Sequence, residues 1–187
     1  MYIDLHIHTT CSDGSLTPSQ VVHYAKEKGL KAIAITDHDT IDGNDEALNE
    51  GEHQGIKVIP GVEISVDYSP GSMHMLGYFT TTDDITLKGY FTTTDDITLK
   101  EKLTLLQGSR ADRNPKIIEK LNELGLALTY DEVVQESGGG QVGRPHIAQV
   151  LLQKGYVKNI QEAFDKYLGK GAPAYSDKFR FGADEAI

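Results

Sequence analysis

Residues 4–14 read DLHIHTTCSDG. Side chains alternate faces along a β-strand, so Ile3, Leu5 and Ile7 fall on one side while Asp4, His6 and His8 fall on the other. The two histidines therefore point the same way, and Asp13 follows shortly after. Histidines also line polar strand ends that bind nothing, so the pair alone leaves both readings open.

Outward from this strand, the first half of the chain alternates strand and helix signals. In TPSQVVHYAKEKG (17–29), Thr17 is an N-cap, Pro18 the first helical residue, Gln20 the partner in a capping box and Gly29 a stop. KAIAITDHD (31–39) has the short continuous apolar core of a strand buried on both faces. A polar helix near Asn44 to His53 leads to a third strand, IKVIPGVEIS (56–65). A fourth, MHMLGYF (73–79), follows a turn at Ser69-Pro70-Gly71. Strands separated by helices make βαβ units, so an α/β sheet or barrel is expected.

From about Leu103 the pattern turns helical. RADRNPKIIEKLNELG, TYDEVVQES, RPHIAQVLLQKG and NIQEAFDKYLG each read as a helix, with a second capping box at Thr129 and Glu132 and stops at Gly125, Gly155 and Gly169. The expected organisation is residues 1–100 as the N-terminal part of the α/β body, 101–175 as a small helical subdomain, and 176–187 as a return to the body, with DEAI starting a further helix. GYFTTTDDITLK occurs twice without a difference, at 77–88 and 89–100. Two copies are too few and too short for a solenoid. The spare copy is expected to be extruded as a hairpin or loop with no functional weight.

A length of 187 residues suits one domain with a proper core and a small inserted subdomain. No apolar run approaches the roughly 18 residues that span a bilayer, and no basic-then-apolar leader opens the chain, so a cytoplasmic location and no membrane partner are expected. A single cysteine, Cys11, excludes an internal disulfide framework. It reads as a bystander thiol, with metal contact the lesser alternative. The net charge of −10 argues against a broad basic surface for duplex nucleic acid. It leaves phosphate chemistry open, because carboxylates and imidazoles gathered on cations make a locally positive site in an acidic protein.

The metal-type residues at the expected strand ends are His6, His8, Asp13, His38, Glu63 and His74. Carboxyl ends of parallel strands gather on one face, where active sites are built. Satisfied core polarity is a poor account of four consecutive strands each delivering an imidazole or a carboxylate to one rim, so the metal reading is preferred. Six nitrogen and oxygen ligands exceed the need of one tetrahedral ion and point to two or three divalent ions, with manganese, zinc and iron all compatible. Asp37 and Asp39 flank His38 either as orienting groups or as ordinary polar loop residues. His23 and His53 lie on helices and are expected to face solvent.

The runs DLHIHTTCSDG, AITDHDT, PGVEIS and HMLGY resemble the polymerase and histidinol phosphatase (PHP) superfamily of metal-dependent phosphoesterases. GRPHIAQVLL and SRADRNPKI narrow the resemblance to small bacterial enzymes that hydrolyse nucleoside 3′,5′-bisphosphates and short RNA 5′ ends. The resemblance implies a distorted (β/α)7 barrel with a helical insertion. It implies that His6 and His8 hold one metal, that Glu63 bridges to another held by His74, and that Asp13 and His38 serve a third. The family also uses a histidine in a later His-Pro strand and a C-terminal Asp-x-His pair. Neither occurs here, so the chain resembles the first two thirds of such an enzyme and looks truncated at its C-terminus.

The implied activity is hydrolysis of a small phosphorylated nucleotide or short RNA by a hydroxide held between metals. His38, Arg144 and His146 are the candidate catalytic residues. Arg144 would clamp phosphate with the helix N-terminus near Pro145, and His146 would contact phosphate or the leaving oxygen. Arg110, Arg113 and Asn114 would grip a second phosphate, and Asp13 would also lie near the substrate. The alternative for the Arg110–Asn114 helix is a solvated charged face. Two other functions compete with the phosphoesterase: an inactive remnant that binds metal or a partner, and an amidohydrolase-like hydrolase of C–N bonds. Later lysine or paired-histidine spacing of the amidohydrolase kind is absent from the sequence.

Overall fold

Thr17 stands in extended backbone and its hydroxyl accepts the N–H of Gln20, whose side chain in turn accepts the N–H of Thr17 at 3.0 Å. This reciprocal pair starts α1 (Pro18–Glu27), as the sequence requires. The structure is a computed structural model that describes residues 2–69, 73–80 and 99–186. Most of the duplicated segment and the turn at Pro70-Gly71 lie outside the described residues, as does the expected hairpin of the spare copy.

The chain divides into two units, residues 1–107 with 180–187, and residues 108–179. The first is mixed α/β. β1 (Tyr2–Ile7), β2 (Leu30–Ile35) and β3 (Lys57–Asp67) pair in that order and in parallel, with α1 between the first two and α2 (Asn44–Gln54) between the second and third. These are the βαβ units read from the sequence, and the arrangement is that of an incomplete α/β barrel. Val21, Val22 and Ala25 of α1 and Ala47 of α2 close over Ile33 and Ile35 to form one apolar cluster. Ile33, Ala34 and Ile35 are all buried, so β2 is covered on both faces as its apolar run implies.

Two strand features differ from a simple reading. β1 pairs only with β2 among the described residues, and its apolar face is poorly covered: Ile3 is 55% exposed and only Ile7 joins the cluster. β4 (Met73–Tyr78) runs antiparallel to β3. The connection from Asp67 to Met73 is too short for a parallel crossover, so the chain must reverse on itself. His74 therefore comes from the N-terminal end of its strand and not from a carboxyl end. β5 (Phe181–Gly182) pairs with the end of β3, and the residues after it form a turn where DEAI suggested a helix.

β3 decides where the site lies. Val62, Ile64 and Val66 alternate onto one face and pack against Leu99, Leu103 and Leu106 of α3 (Leu99–Glu123). Glu63 and Ser65 are thereby turned to the other face, yet they too are buried. A strand with a dry face on one side and enclosed polar groups on the other demands partners for those groups.

The second unit is helical. It contains the rest of α3, α4 (Tyr130–Glu136), α5 (Arg144–Gln153) and α6 (Ile160–Ala163), which runs on into a π-helical turn, Phe164–Leu168. The Thr129–Glu132 capping box forms as read. Ile117, Leu121, Val133, Ile147, Leu151 and Leu168 are fully buried at its centre. The N–H of Gly169 reaches the carbonyl of Phe164 at 2.8 Å, the wide ring that defines the π turn.

Candidate metal centre

The site is assembled by backbone before any side chain is placed. The N–H of Glu63 donates to the carbonyl of Asp37 at 3.1 Å, and the N–H of Asp39 donates to the carbonyl of Glu63 at 2.8 Å. Residues 37–39 thus extend β2 by one parallel bridge, His38 to Glu63. Asp39 adopts φ 54°, a left-handed conformation that aspartate tolerates better than most residues. Its carboxylate accepts the N–H of Ser65 at 3.0 Å, which fastens the turn to β3.

On the β1 side, residues 9–14 close into a tight loop. The N–H groups of Ser12 and Gly14 both donate to the carbonyl of Thr9, at 3.1 and 2.9 Å. A Cβ at Gly14 would lie 2.3 Å from the carbonyl oxygen of His8, so only glycine fits. The loop swings Asp13 back until its Oδ1 stands 2.9 Å from Nδ1 of His8. Across the β3–β4 ladder Ser65 faces His74, which puts His74 on the same face as Glu63.

All six residues meet. Oε2 of Glu63 lies 3.1 Å from Nε2 of His6, 2.8 Å from Nε2 of His8 and 3.2 Å from Nδ1 of His38, while Oε1 lies 2.6 Å from Nδ1 of His74. Oδ2 of Asp13 is 3.7 Å from Nε2 of His38. The imidazoles form a chain, with ring centroids 5.2, 4.5 and 4.9 Å apart along His6, His8, His38 and His74.

The electrostatics follow from this crowding. Burial opposes ionisation of Glu63, but hydrogen bonds from His74 and His8, the charge of His38 and a hydrogen bond from His6 hold its carboxyl well below the usual carboxylate range. Burial also opposes a charge on His8, yet the hydrogen bonds and charges of Asp13 and Glu63 carry it up to about 9. Four imidazoles around one enclosed carboxylate is an arrangement that divalent cations stabilise by replacing protons.

The donor set fits metal. Three overlapping groups have one ligand atom per residue within 4.8 Å of each other: His6, His8 and Glu63; His8, Asp13 and His38; His38, Glu63 and His74. Imidazole and carboxylate suit borderline divalent ions, and shared ligands suit a cluster more than one isolated ion. His23 and His53 are exposed on α1 and α2, beside Glu50 and apart from this set.

In the second unit, Arg110, Arg113, Asn114 and His146 are buried, so this helix face is not a solvated one. Arg113 donates to Oδ1 of Asn114 at 2.7 Å, and Asn114 donates to the carbonyl of Val142 at 2.9 Å. Arg144 donates to the carbonyl of Leu168 at 3.0 Å and lies over the rings of Phe164 and Tyr175. Nδ1 of His146 accepts the N–H of Gly143 at 3.0 Å, so a neutral His146 carries its proton on Nε2.

The PHP domain family matches residues 4–173. The chain belongs to the PHP family. It is 37% identical over 177 residues to a 5′-3′ exoribonuclease of Haemophilus influenzae, covering 92% of this chain and 58% of that protein. It is 30% identical over 174 residues to a 3′,5′-nucleoside bisphosphate phosphatase of Chromobacterium violaceum, covering 92% of this chain and 57% of that protein. Among solved structures, an amidohydrolase from Chromobacterium violaceum with bound sulfate and no metal superposes with a TM-score of 0.86 at 28% identity, over 99% of this chain and 61% of that one. A protein assigned as a metal-dependent phosphoesterase from Bifidobacterium adolescentis superposes with a TM-score of 0.84 at 28% identity, over 98% and 61%. The PHP chain thus spans under two thirds of the length of these relatives.

Sequence reasoning placed the six ligand-type residues but left the flanking aspartates undecided. Asp37 and Asp39 are both buried, at 1% and 0% exposure, and neither is an ordinary loop residue. Two acids on either side of a histidine, directly after an apolar strand, were the signal. Thr9 and Ser12, also buried, carried no signal beyond lying between His8 and Asp13.

Proposed function

We propose that this chain is the metal-binding part of a phosphoesterase that hydrolyses phosphate monoesters of nucleotides, nucleoside 3′,5′-bisphosphates first and RNA 5′ ends second. One observation carries the reading: six imidazole and carboxylate residues from separate segments converge on one cluster in a PHP chain. The names of the relatives support the substrate class. Two or three divalent ions, manganese, zinc or iron, would be held by His6, His8 and Glu63, by His8, Asp13 and His38, and by His38, Glu63 and His74. Such ions, when bound, would lower the pKa of a bound water toward about 7 and neutralise phosphate oxygens.

The protein's own groups have distinct roles in this reading. Glu63 and Asp13 supply the negative charge that holds cations among the imidazoles. His38 belongs to two of the three groups and so couples them. Arg144, Arg110, Arg113 and Asn114 bind substrate phosphate, and His146, with its proton on Nε2, donates to a phosphate or leaving oxygen. No helix among the described residues is long and apolar enough to cross a membrane. A cytoplasmic enzyme with one cysteine in a reducing compartment agrees with this.

The test is release of inorganic phosphate from a nucleoside 3′,5′-bisphosphate by the purified 187-residue chain loaded with Mn(II), Zn(II) or Fe(II). Metal uptake with phosphate release is the expected result. Metal uptake alone would assign a non-catalytic metal-binding chain, and release of ammonia or amine from an amide would assign a C–N hydrolase.

A further inference from the structure

Asp37 is buried, at 1% exposure. It accepts three hydrogen bonds from the loop that follows β1. The N–H of Thr9 reaches Oδ1 at 2.7 Å, the hydroxyl of Thr9 reaches Oδ2 at 2.7 Å, and the hydroxyl of Ser12 reaches Oδ1 at 2.5 Å. Thr9 follows His8 and Ser12 precedes Asp13, so both ends of the ligand-bearing loop hang from one carboxylate. On its other side Asp37 is bonded directly to His38, and its carbonyl accepts the N–H of Glu63 at 3.1 Å.

One side chain therefore connects the segment carrying His8 and Asp13 to the segments carrying His38 and Glu63. The group formed by His8, Asp13 and His38 takes residues from both sides of this connection. The β1–β2 ladder shifts register between Asp4 and Ile7 and ends at Ile7, where the N–H of Thr36 donates to the carbonyl of Ile7 at 2.8 Å. Past that last backbone bond, the contacts of Asp37 with Thr9 and Ser12 carry the connection into the loop that holds Asp13.

We propose that Asp37 is a positioning residue whose clamp on Thr9 and Ser12 fixes His8 and Asp13 opposite His38, and thereby sets the affinity of that group for a divalent ion. This rests on the reading that the His8, Asp13 and His38 group holds metal. Outer hydrogen bonds that orient metal ligands are worth roughly 10–100-fold in metal affinity. A carboxylate is needed because the N–H of Thr9 can only donate, and Oδ2 must accept the Thr9 hydroxyl while that hydroxyl itself accepts the N–H of Cys11 at 3.1 Å. In Asp37→Asn an N–H₂ group replaces one of the two acceptors, so either the acceptor of the Thr9 hydroxyl (Oδ2) or the shared acceptor of the Thr9 N–H and the Ser12 hydroxyl (Oδ1) is lost.

The experiment titrates the whole metal-free chain with Co(II), following the visible absorption bands that report ligand geometry, alongside equilibrium dialysis with Mn(II) and Zn(II). Asp37→Asn is expected to weaken one equivalent by about 10–100-fold and to alter the Co(II) spectrum. Ser12→Ala, which removes one of the three contacts, is expected to weaken the same equivalent by a smaller factor. Unchanged affinity and spectrum in Asp37→Asn would overturn the inference. Should that variant fail to fold by circular dichroism, Ser12→Ala decides alone, and wild-type binding in it overturns the inference equally. If the wild-type chain itself takes up no metal, the fault lies with the metal reading and not with the clamp.

Discussion

In the first unit polar side chains crowd one another, and in the second they end mainly on backbone. Glu63 has four imidazoles within 3.2 Å, an arrangement that costs free energy unless protons or cations lie between the groups. Arg144, Asn114 and His146 instead meet the carbonyl of Leu168, the carbonyl of Val142 and the N–H of Gly143. Such contacts complete helix ends and loops and stabilise the fold whether or not a ligand is bound. A cluster that makes physical sense only with something added is stronger evidence for a site than a set of polar side chains already used by the fold. The difference can be broken or sharpened by experiment.

The largest expected effect is at Glu63, which belongs to two of the three ligand groups. Glu63→Gln keeps the size of the side chain and removes the charge that holds cations. Metal retained after dialysis, measured by elemental analysis, should fall by at least one equivalent, and affinity for the rest by more than about 100-fold. Full retention would mean that the crowding around Glu63 is not a metal centre.

Next in size is the pH dependence of the metal-free chain. His8 rises from an ordinary 6.5 to about 9, so its protonated form stabilises the fold fully below pH 6.5 and that contribution is lost as the pH climbs through about 9. Glu63 has the opposite sign. Its carboxyl is held below the ordinary 4.5, so its contribution is present above that value and lost only as the solution becomes strongly acid. The metal-free Tm should therefore be highest between pH 4.5 and 6.5 and decline toward pH 9. Stabilisation by added Zn(II) should grow over that upper range, because metal displaces the proton on His8. A metal-free Tm that rises from pH 6.5 to 9 would contradict the geometry around His8.

A smaller effect is expected in the second unit. Arg144→Lys keeps the charge but loses the planar stack over Phe164 and Tyr175 and the geometry of the bond to Leu168. Stability should fall by about 1–2 kcal/mol, read from urea unfolding. If Arg144 also binds phosphate, KM for a bisphosphate rises in the same variant. An unchanged KM with lowered stability would make the residue purely structural and widen the contrast between the two units.

The fold was legible where one local signal had one physical meaning. Thr17 with Gln20, and Thr129 with Glu132, could only be helix starts, and the apolar run at Ile33–Ile35 could only be a covered strand. That His6, His8, Asp13, His38, Glu63 and His74 would meet was legible because each stands at or just after a strand read from the sequence. The direction of β4 was less so, because strand signals carry no polarity and only the short link after Asp67 betrays the reversal. The clamp at Asp37 was not legible. Its partners Thr9 and Ser12 are common polar residues, and what matters is that all three are enclosed together, which a sequence does not state.

The smallest expected effect concerns the duplicated segment. Because the two copies are identical, every twelve-residue deletion that begins between residues 77 and 89 produces the same shortened chain. The described positions of the repeat are Gly77 to Thr80 from the first copy and Leu99 and Lys100 from the second, and the shortened chain supplies all of them once. The link from Tyr78 to Leu99 would lose twelve of its residues, and chain-closure entropy alone then favours the shorter form by about 0.8 kcal/mol. For a protein of this size that is a rise in Tm of roughly 2–3 °C, with metal stoichiometry unchanged. Loss of one metal equivalent on deletion would instead tie the spare copy to the placement of His74 in β4, and would make the first unit's site dependent on residues that its other ligands do not need.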